Sequence, residues 1–443
     1  MIDISPQWVV ILMIVGMVIG IMLGHYVAFV MIGVATIMAI VVWGPGGTYL
    51  FMGRTFHTVT NVVLIAIPLF ILMASFLERS RIAEELFEAL LYLFGSLNGG
   101  LTLAVVILCV VFAATTGIMG ATVVSMSIIA MPVLLKRNYS KSLASGTVAA
   151  SGCLGIIIPP SIMLVMMADQ SGISVGRLFA GGLLPGVVLG ALFFIYILVT
   201  CKIRPDRGPA MPEEERRAIS TTQLFKKLII SLVPPLLLIF GVLGSIWLGY
   251  ATPTEAAGVG AFLAFSLMVI YRRFTWSTFI DCVHSAFRTN AMVMTTLIGA
   301  TIFTGVFLGL GGGKVVTDLI LHFDFMGRWG VFAVMMVITF IMGFFIDWIG
   351  IIYITFPIFL PIASAFDFPP LWFIIAMAVN LQMSFLTPPF GYALFYMKST
   401  IPREVSLMHV YKGVMPFIAL QIIGLAILVM FPILATFLPD LFF

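Results

Sequence analysis

Charged residues are scarce in this sequence. Only 9% of its 443 residues are Asp, Glu, Lys or Arg, against about 25% in soluble globular chains. A solvated globular domain is therefore excluded. The 62% hydrophobic content and a mean hydropathy of +1.20 predict an all-α polytopic membrane protein in a lipid bilayer. Cysteine is sparse as well: Cys109, Cys153, Cys201 and Cys282 stand alone within or at the ends of apolar segments, which argues against a disulfide frame or a thiolate metal centre. The five histidines are scattered, and no His-Glu-x-x-His, Gly-x-Ser-x-Gly or Gly-Lys-Ser/Thr sequence occurs. No enzymatic or ATP-driven chemistry, no cofactor and no nucleic-acid partner is expected. The first residues, Met1-Ile2-Asp3-Ile4-Ser5, hold no basic cluster, so no cleaved signal peptide is expected.

What the chain has in abundance is long apolar runs. A full span needs about 20 apolar residues, and such spans are predicted near 8–24, 26–43, 61–77, 142–168 and 179–201. A second set lies near 228–249, 254–271, 289–310, 370–397 and 413–437. Two further apolar stretches, 100–135 and 330–363, fit poorly as spans. Residues 101–114 are fourteen before the polar Thr115-Thr116-Gly117, about 21 Å of helix against a core of about 30 Å. Both stretches are read as re-entrant hairpins, with tips at Thr115–Thr122 and about Ile346–Gly350. Residues 78–94 and 274–287 read as amphipathic surface helices, and the charged stretch 202–227 as a solvated connector.

With the N-terminus outside, 18 of the 22 basic residues fall on the cytoplasmic side, leaving Arg54, Arg177, Lys314 and Arg328 outside. Both termini then lie on the outer side. Each half, 1–201 and 228–443, holds five spans and one hairpin, so the second half begins on the opposite side from the first. That is an inverted-topology repeat. Spacing agrees: Gly120 precedes Pro159 by 39 residues and Gly350 precedes Pro388 by 38.

Pro-Pro interrupts apolar sequence at matching places in the halves, Pro159-Pro160 and Pro388-Pro389. Proline lacks an N–H and clashes with the carbonyl four residues back. The carbonyls of Gly155 and Ile156, and of Ser384 and Phe385, are thereby released. In a bilayer such groups persist only where protein or a wet cavity satisfies them. Two readings stand: a packing kink, or an ion or substrate site at the midplane. The first tip adds three threonine hydroxyls and Gly117, an all-oxygen set suited to a monovalent cation, or else simply small-residue packing. The second tip holds Asp347, a carboxylate inside an apolar hairpin. It binds a cation, carries a proton, or caps a helix N-terminus. Ser384 and Thr387 lie on the facing break, and Asn380 and Gln382 in the same span could line a substrate path. Arg288 and the Thr289-Asn290, Thr295-Thr296 and Thr301 series could add donors along one span.

Taken together these motifs resemble the large membrane subunit of the tripartite ATP-independent periplasmic (TRAP) transporters. The resemblance covers essentially the whole chain. It is carried by Ile67-Pro68-Leu69-Phe70, Gly155-Ile156-Ile157-Ile158-Pro159-Pro160-Ser161-Ile162 and Leu178-Phe179-Ala180-Gly181-Gly182-Leu183-Leu184-Pro185-Gly186. Thr252-Pro253-Thr254-Glu255-Ala256-Ala257, Asp347, Pro357, Pro361, Thr387-Pro388-Pro389 and Tyr411-Lys412-Gly413-Val414-Met415-Pro416-Phe417 complete it. The resemblance implies a sodium-coupled importer of small organic anions in the bacterial inner membrane, moving its hairpins and broken helices as an elevator against a static scaffold. It implies two partners, a periplasmic substrate-binding protein and a small four-helix membrane subunit, here expected as a separate chain. It implies one sodium site of Thr116 with backbone oxygens of Gly155, Ile158 and Pro160, and another of Asp347, Ser384, Thr387 and Pro389. Thr115, Gly117, Ser161, Gly350, Asn380 and Gly391 are the expected substrate contacts. The bulky Ile118 and Met119 depart from a serine-rich tip and favour a small carboxylate, oxoacid or sulfonate. The alternatives are a stand-alone ion-coupled carrier or cation–proton antiporter with Asp347 as proton site, and a scaffold subunit without transport.

Overall fold

The computed structural model describes residues 4–117, 119–216, 220–388 and 391–443, with only the backbone described for 113–116. Among them every regular element is helical. The chain runs α1 (Pro6–Met22), α2 (Val27–Trp43), α3 (Tyr49–Val59), α4 (Ala66–Arg79), α5 (Ile82–Phe94), α6 (Gly100–Thr116), α7 (Met119–Lys136), α8 (Lys141–Cys153), α9 (Ile162–Ser171) and α10 (Val175–Ile203). A single-turn α11 (Glu213–Arg216) lies in the polar connector. Then follow α12 (Thr221–Trp247), α13 (Pro253–Ile270), α14 (Trp276–Gly309), α15 (Gly312–Leu321), α16 (Gly327–Met342), α17 (Trp348–Ala365), α18 (Pro370–Ser384), α19 (Tyr392–Lys398), α20 (Leu407–Met430) and α21 (Ile433–Phe442). Nine helical stretches among the described residues are long and apolar enough to cross a bilayer, as the composition predicts.

Several local expectations change. Residues 274–287 do not form a separate surface helix but open the 34-residue α14. No Gly or Pro interrupts the chain from 276 to 298, so the helix has no reason to stop. α3 and α15 are additional to the predicted elements, because their polar residues keep them from reading as spans. The first hairpin arm is longer than fourteen residues: α6 has 17 and α7 has 18, about 26 Å each at the helical rise. Arm length therefore no longer separates a hairpin from a pair of spans. The second tip also lies earlier, between Met342 and Trp348, which puts Gly350 in the first turn of α17.

Helix α8 ends at Cys153 and the chain resumes helix at Ile162; α18 ends at Ser384 and helix resumes at Tyr392. A double proline alone does not cause this. Pro234-Pro235 sits inside the unbroken α12. There the Tyr271 hydroxyl donates to Ile230 O at 2.6 Å, the carbonyl that Pro234 leaves without its helical partner. At each of the two breaks a glycine lies within four residues of the prolines, Gly155 or Gly391; the same reach around Pro234-Pro235, residues 230–239, holds none. Tyr271→Phe should strip that carbonyl of its donor and cost about 1 kcal/mol, seen as a lower unfolding temperature of the purified chain. An unchanged melt would mean that lipid or water already satisfies it.

The centre of the molecule is α8 and α18. Every residue from Leu143 to Cys153 and from Trp372 to Ser384 is buried. α8 achieves this with small residues, among them Ala144, Gly146, Ala149, Ala150 and Gly152, which let neighbouring helices close in. Packing around this centre is reciprocal. α6 and α7 lie on α8, and α7 also reaches α19; α16 and α17 lie on α18, and α17 also reaches α9.

Candidate functional site

Each helix pair meets the neighbouring break through a glycine. At the first tip Gly117 has φ +61°, a conformation that costs glycine nothing. A Cβ there would lie 2.8 Å from Pro160 O and 3.4 Å from Ser161 Cα. At the second, Gly343 ends α16, and a Cβ there would collide with Ser384. Gly343 was not singled out in the sequence; only the tertiary contact reveals it. Gly343→Ala should push α16 off the second break and lower uptake on the order of tenfold, with folding retained. Uptake equal to the unsubstituted chain would show that this contact is not needed.

The oxygens at the breaks are arranged as follows. Ser161 caps α9: its hydroxyl donates to Ile156 O at 2.6 Å and accepts from Leu164 N at 3.3 Å. So the Ile156 carbonyl, released by Pro160, is taken up locally. The amides of Ile157 and Ile158 both turn back to Leu154 O, and Gly155 lies in this tightened turn. At the second break the Phe385 carbonyl accepts from Ala393 N at 3.2 Å and that of Ser384 from Thr387 N at 3.2 Å. Ser384 Oγ–H donates to Leu381 O at 2.7 Å and Thr387 Oγ1–H to Met383 O at 2.9 Å. With their protons committed to backbone, both hydroxyl oxygens keep lone pairs for a cation. Asp347 immediately precedes α17 beside the amides of Trp348 and Ile349, with Tyr392 and Tyr396 near it.

The remaining expected site residues fall in different places. Asn380 is buried and donates to Met336 O at 2.8 Å, tying α18 to α16. Gly350 packs against Ile346 and Met31. Gly391 closes the second break, its amide donating to Thr387 O at 3.1 Å. The side chains of Thr115 and Thr116, together with Ile118 and Pro389, lie outside the described residues. Other motif residues serve the frame. Gly182 admits the Ile157 carbonyl, where a Cβ would stand 2.7 Å away. Thr252 and Glu255 form a reciprocal cap at the start of α13.

Beside the first tip opens a cavity of about 530 Å3 between α7 and α19 on one side and α4, α5 and α14 on the other. Gly120, Thr122, Ser125 and Tyr396 face Arg79, Arg81, Ser285 and Thr289 across it. Ser125 donates to Glu78 at 3.1 Å, and the Tyr396 ring lies against Gly120. Tyr396 thus connects this cavity to the neighbourhood of Asp347. The bias in basic residues puts both arginines on the cytoplasmic side, and nothing in their spacing marks them as cavity residues.

A multi-pass helical chain centred on two interrupted helices beside a polar cavity has the architecture of a membrane transporter. The fold resembles that of the YdaH transporter of Alcanivorax borkumensis, with a TM-score of 0.61 over 92% of this chain and 98% of that one, at 11% identity. Residues 7–434 match the tripartite ATP-independent periplasmic transporter family, DctM component, and the chain belongs to that family. It is 29% identical to the C4-dicarboxylate TRAP transporter large permease protein of Vibrio cholerae, covering 96% of both chains. It is also 29% identical to the isethionate TRAP transporter permease protein DctMQ of Oleidesulfovibrio alaskensis, over 94% of this chain and 66% of that one. These relatives are permeases and not enzymes.

Proposed function

We propose that this chain is the transport subunit of a sodium-coupled, binding-protein-dependent importer of a small organic anion. It works in the bacterial inner membrane with both termini periplasmic. Its hairpins, α6–α7 and α16–α17, move with the broken helices α8–α9 and α18–α19 as an elevator against the remaining scaffold. The observation that carries this reading is the reciprocal seating of the two tips: Gly117 on Pro160 and Gly343 on Ser384. A tip seated on a break in each half is what an inverted repeat requires, with the first contact on the second proline of its break and the other four residues before the first. The sodium ions lie at the breaks, one held by Thr116 and the oxygens of Gly155, Ile158 and Pro160, the other by Asp347, Ser384, Thr387 and Pro389. An all-oxygen donor set suits such an ion.

The 530 Å3 cavity is the cytoplasmic vestibule, where Arg79 and Arg81 stand among Glu78 and Glu84. The names of the relatives, a C4-dicarboxylate and isethionate permease, support a small carboxylate or sulfonate as cargo. A soluble binding protein delivers it, and a separate four-helix membrane subunit braces the scaffold.

Uptake of succinate and isethionate into proteoliposomes tests the reading. Accumulation should require an inward sodium gradient, a periplasmic binding protein and the small subunit. Uptake that proceeds without a binding protein would favour a stand-alone carrier, and sodium-independent uptake would overturn the coupling.

A further inference from the structure

The polar side chains of α14 do not all face one cavity. Ser285 and Thr289 line the 530 Å3 vestibule, but Thr301 and Thr304 line a second cavity of about 190 Å3. Twelve residues separate Thr289 from Thr301, about 18 Å along the helix axis. The second cavity lies between α3 and α14 on one side and α9 and α17 on the other. The vestibule is walled by α7 and α19 instead. α7 and α17 are the second arms of their helix pairs, and α19 and α9 the second halves of their broken helices. The two cavities are thus built from corresponding elements of the two halves, at opposite ends of one shared helix.

The walls of the smaller cavity divide chemically. On α9, Asp169 accepts from Tyr353 Oη at 2.8 Å, from Gln170 Nε2 at 2.8 Å and from the Asn61 amide. Its carboxylate oxygens are therefore already engaged. On the facing wall, the Arg54 guanidinium and the His57 ring make no ion pair or hydrogen bond among the described residues. Thr304, 5% exposed, has a hydroxyl with no partner there. A buried hydroxyl without a partner is costly unless something fills the space beside it. An uncommitted guanidinium, a ring N–H and that hydroxyl around one small cavity form a donor set for an oxyacid anion.

We propose that this cavity is an acid-group binding site, in which Arg54, His57 and Thr304 hold one carboxylate or sulfonate of the transported anion at the outer end of its path. The assignment rests on the transporter reading above. Asn61, Tyr353 and Gln170 hold Asp169 by hydrogen bonds, and among the described residues its carboxylate makes no ion pair with Arg54.

A thiol reporter tests the site without any transport assay. The full chain, with its four buried cysteines replaced by Ala, carries Thr304→Cys in lipid nanodiscs. Modification by an anionic methanethiosulfonate is compared with that by a cationic one of similar size. The anionic reagent should react about tenfold faster, a local enrichment typical of a cationic cleft. Arg54→Gln should remove that preference and Arg54→Lys should keep it. Succinate or isethionate should slow the reaction saturably. Equal rates, a preference for the cationic reagent, or no protection by either anion would overturn the site. Thr301→Cys serves as a second reporter in the same cavity if Thr304→Cys fails to fold. If uptake proves independent of sodium or of a binding protein while the preference persists, the coupling falls and this site stands. If uptake behaves as proposed and the preference is missing, this site alone falls.

Discussion

Asp347→Asn should abolish the stimulation of uptake by a sodium gradient while the chain still folds. The substitution keeps the shape of the side chain and removes its charge. Asp347 lies between two apolar helices beside Tyr392 and Tyr396, where an isolated carboxylate at membrane depth costs about 2.5–3.5 kcal/mol. On the proposed reading a bound cation offsets that cost. Its loss should weaken sodium binding about 100-fold, on the order of 3 kcal/mol. Sodium titrations of uptake, with circular dichroism as the control for folding, separate this from a capping role. A cap would cost about 1 kcal/mol of stability when replaced by Ala and leave the sodium response intact. An Asp347→Asn chain with an unaltered sodium response would remove the residue from the ion site.

The second large effect is on stability. Gly413→Ala should prevent recovery of a folded chain. α8 and α20 cross with Gly146 and Gly413 in backbone contact. A Cβ on Gly413 would collide with Ser142 O and lie 2.9 Å from Gly146 N. These are main-chain atoms of a helix buried from Leu143 to Cys153, so no rotamer change relieves the overlap. Overpacking of a tight core usually costs about 1–3 kcal/mol, and a backbone clash at the centre of the molecule belongs at or above that range. Gly146→Ala should behave alike, since its Cβ would collide with Gly413 O. A Gly413→Ala chain that elutes as one species and melts at the unsubstituted temperature would show that the helices part without cost.

How much was legible depended on how local each feature is. The scarcity of charge and the apolar runs announce a multi-pass helical protein because burial in lipid is a property of each residue. Asp347 stood out for the same reason, a carboxylate where none is expected. Asp169 meets that criterion too, yet it lies one residue past the predicted span 142–168, outside the apolar run. Pro234-Pro235 illustrates the opposite limit. It has the same dipeptide as the two breaks, but Tyr271, 36 residues later, supplies a donor, and the helix continues.

By itself the sequence determined the class of the protein, its helical content, and the candidate ion-binding carboxylate, since each follows from the chemistry of short stretches. Its motifs also carried the family resemblance. Only the tertiary structure decided which glycine meets which break, that Arg79 and Arg81 line a cavity, and that the donors of α14 divide between two cavities. Those facts depend on which helix faces come together across hundreds of residues, and that choice is made by close packing of the whole bundle rather than by any one segment.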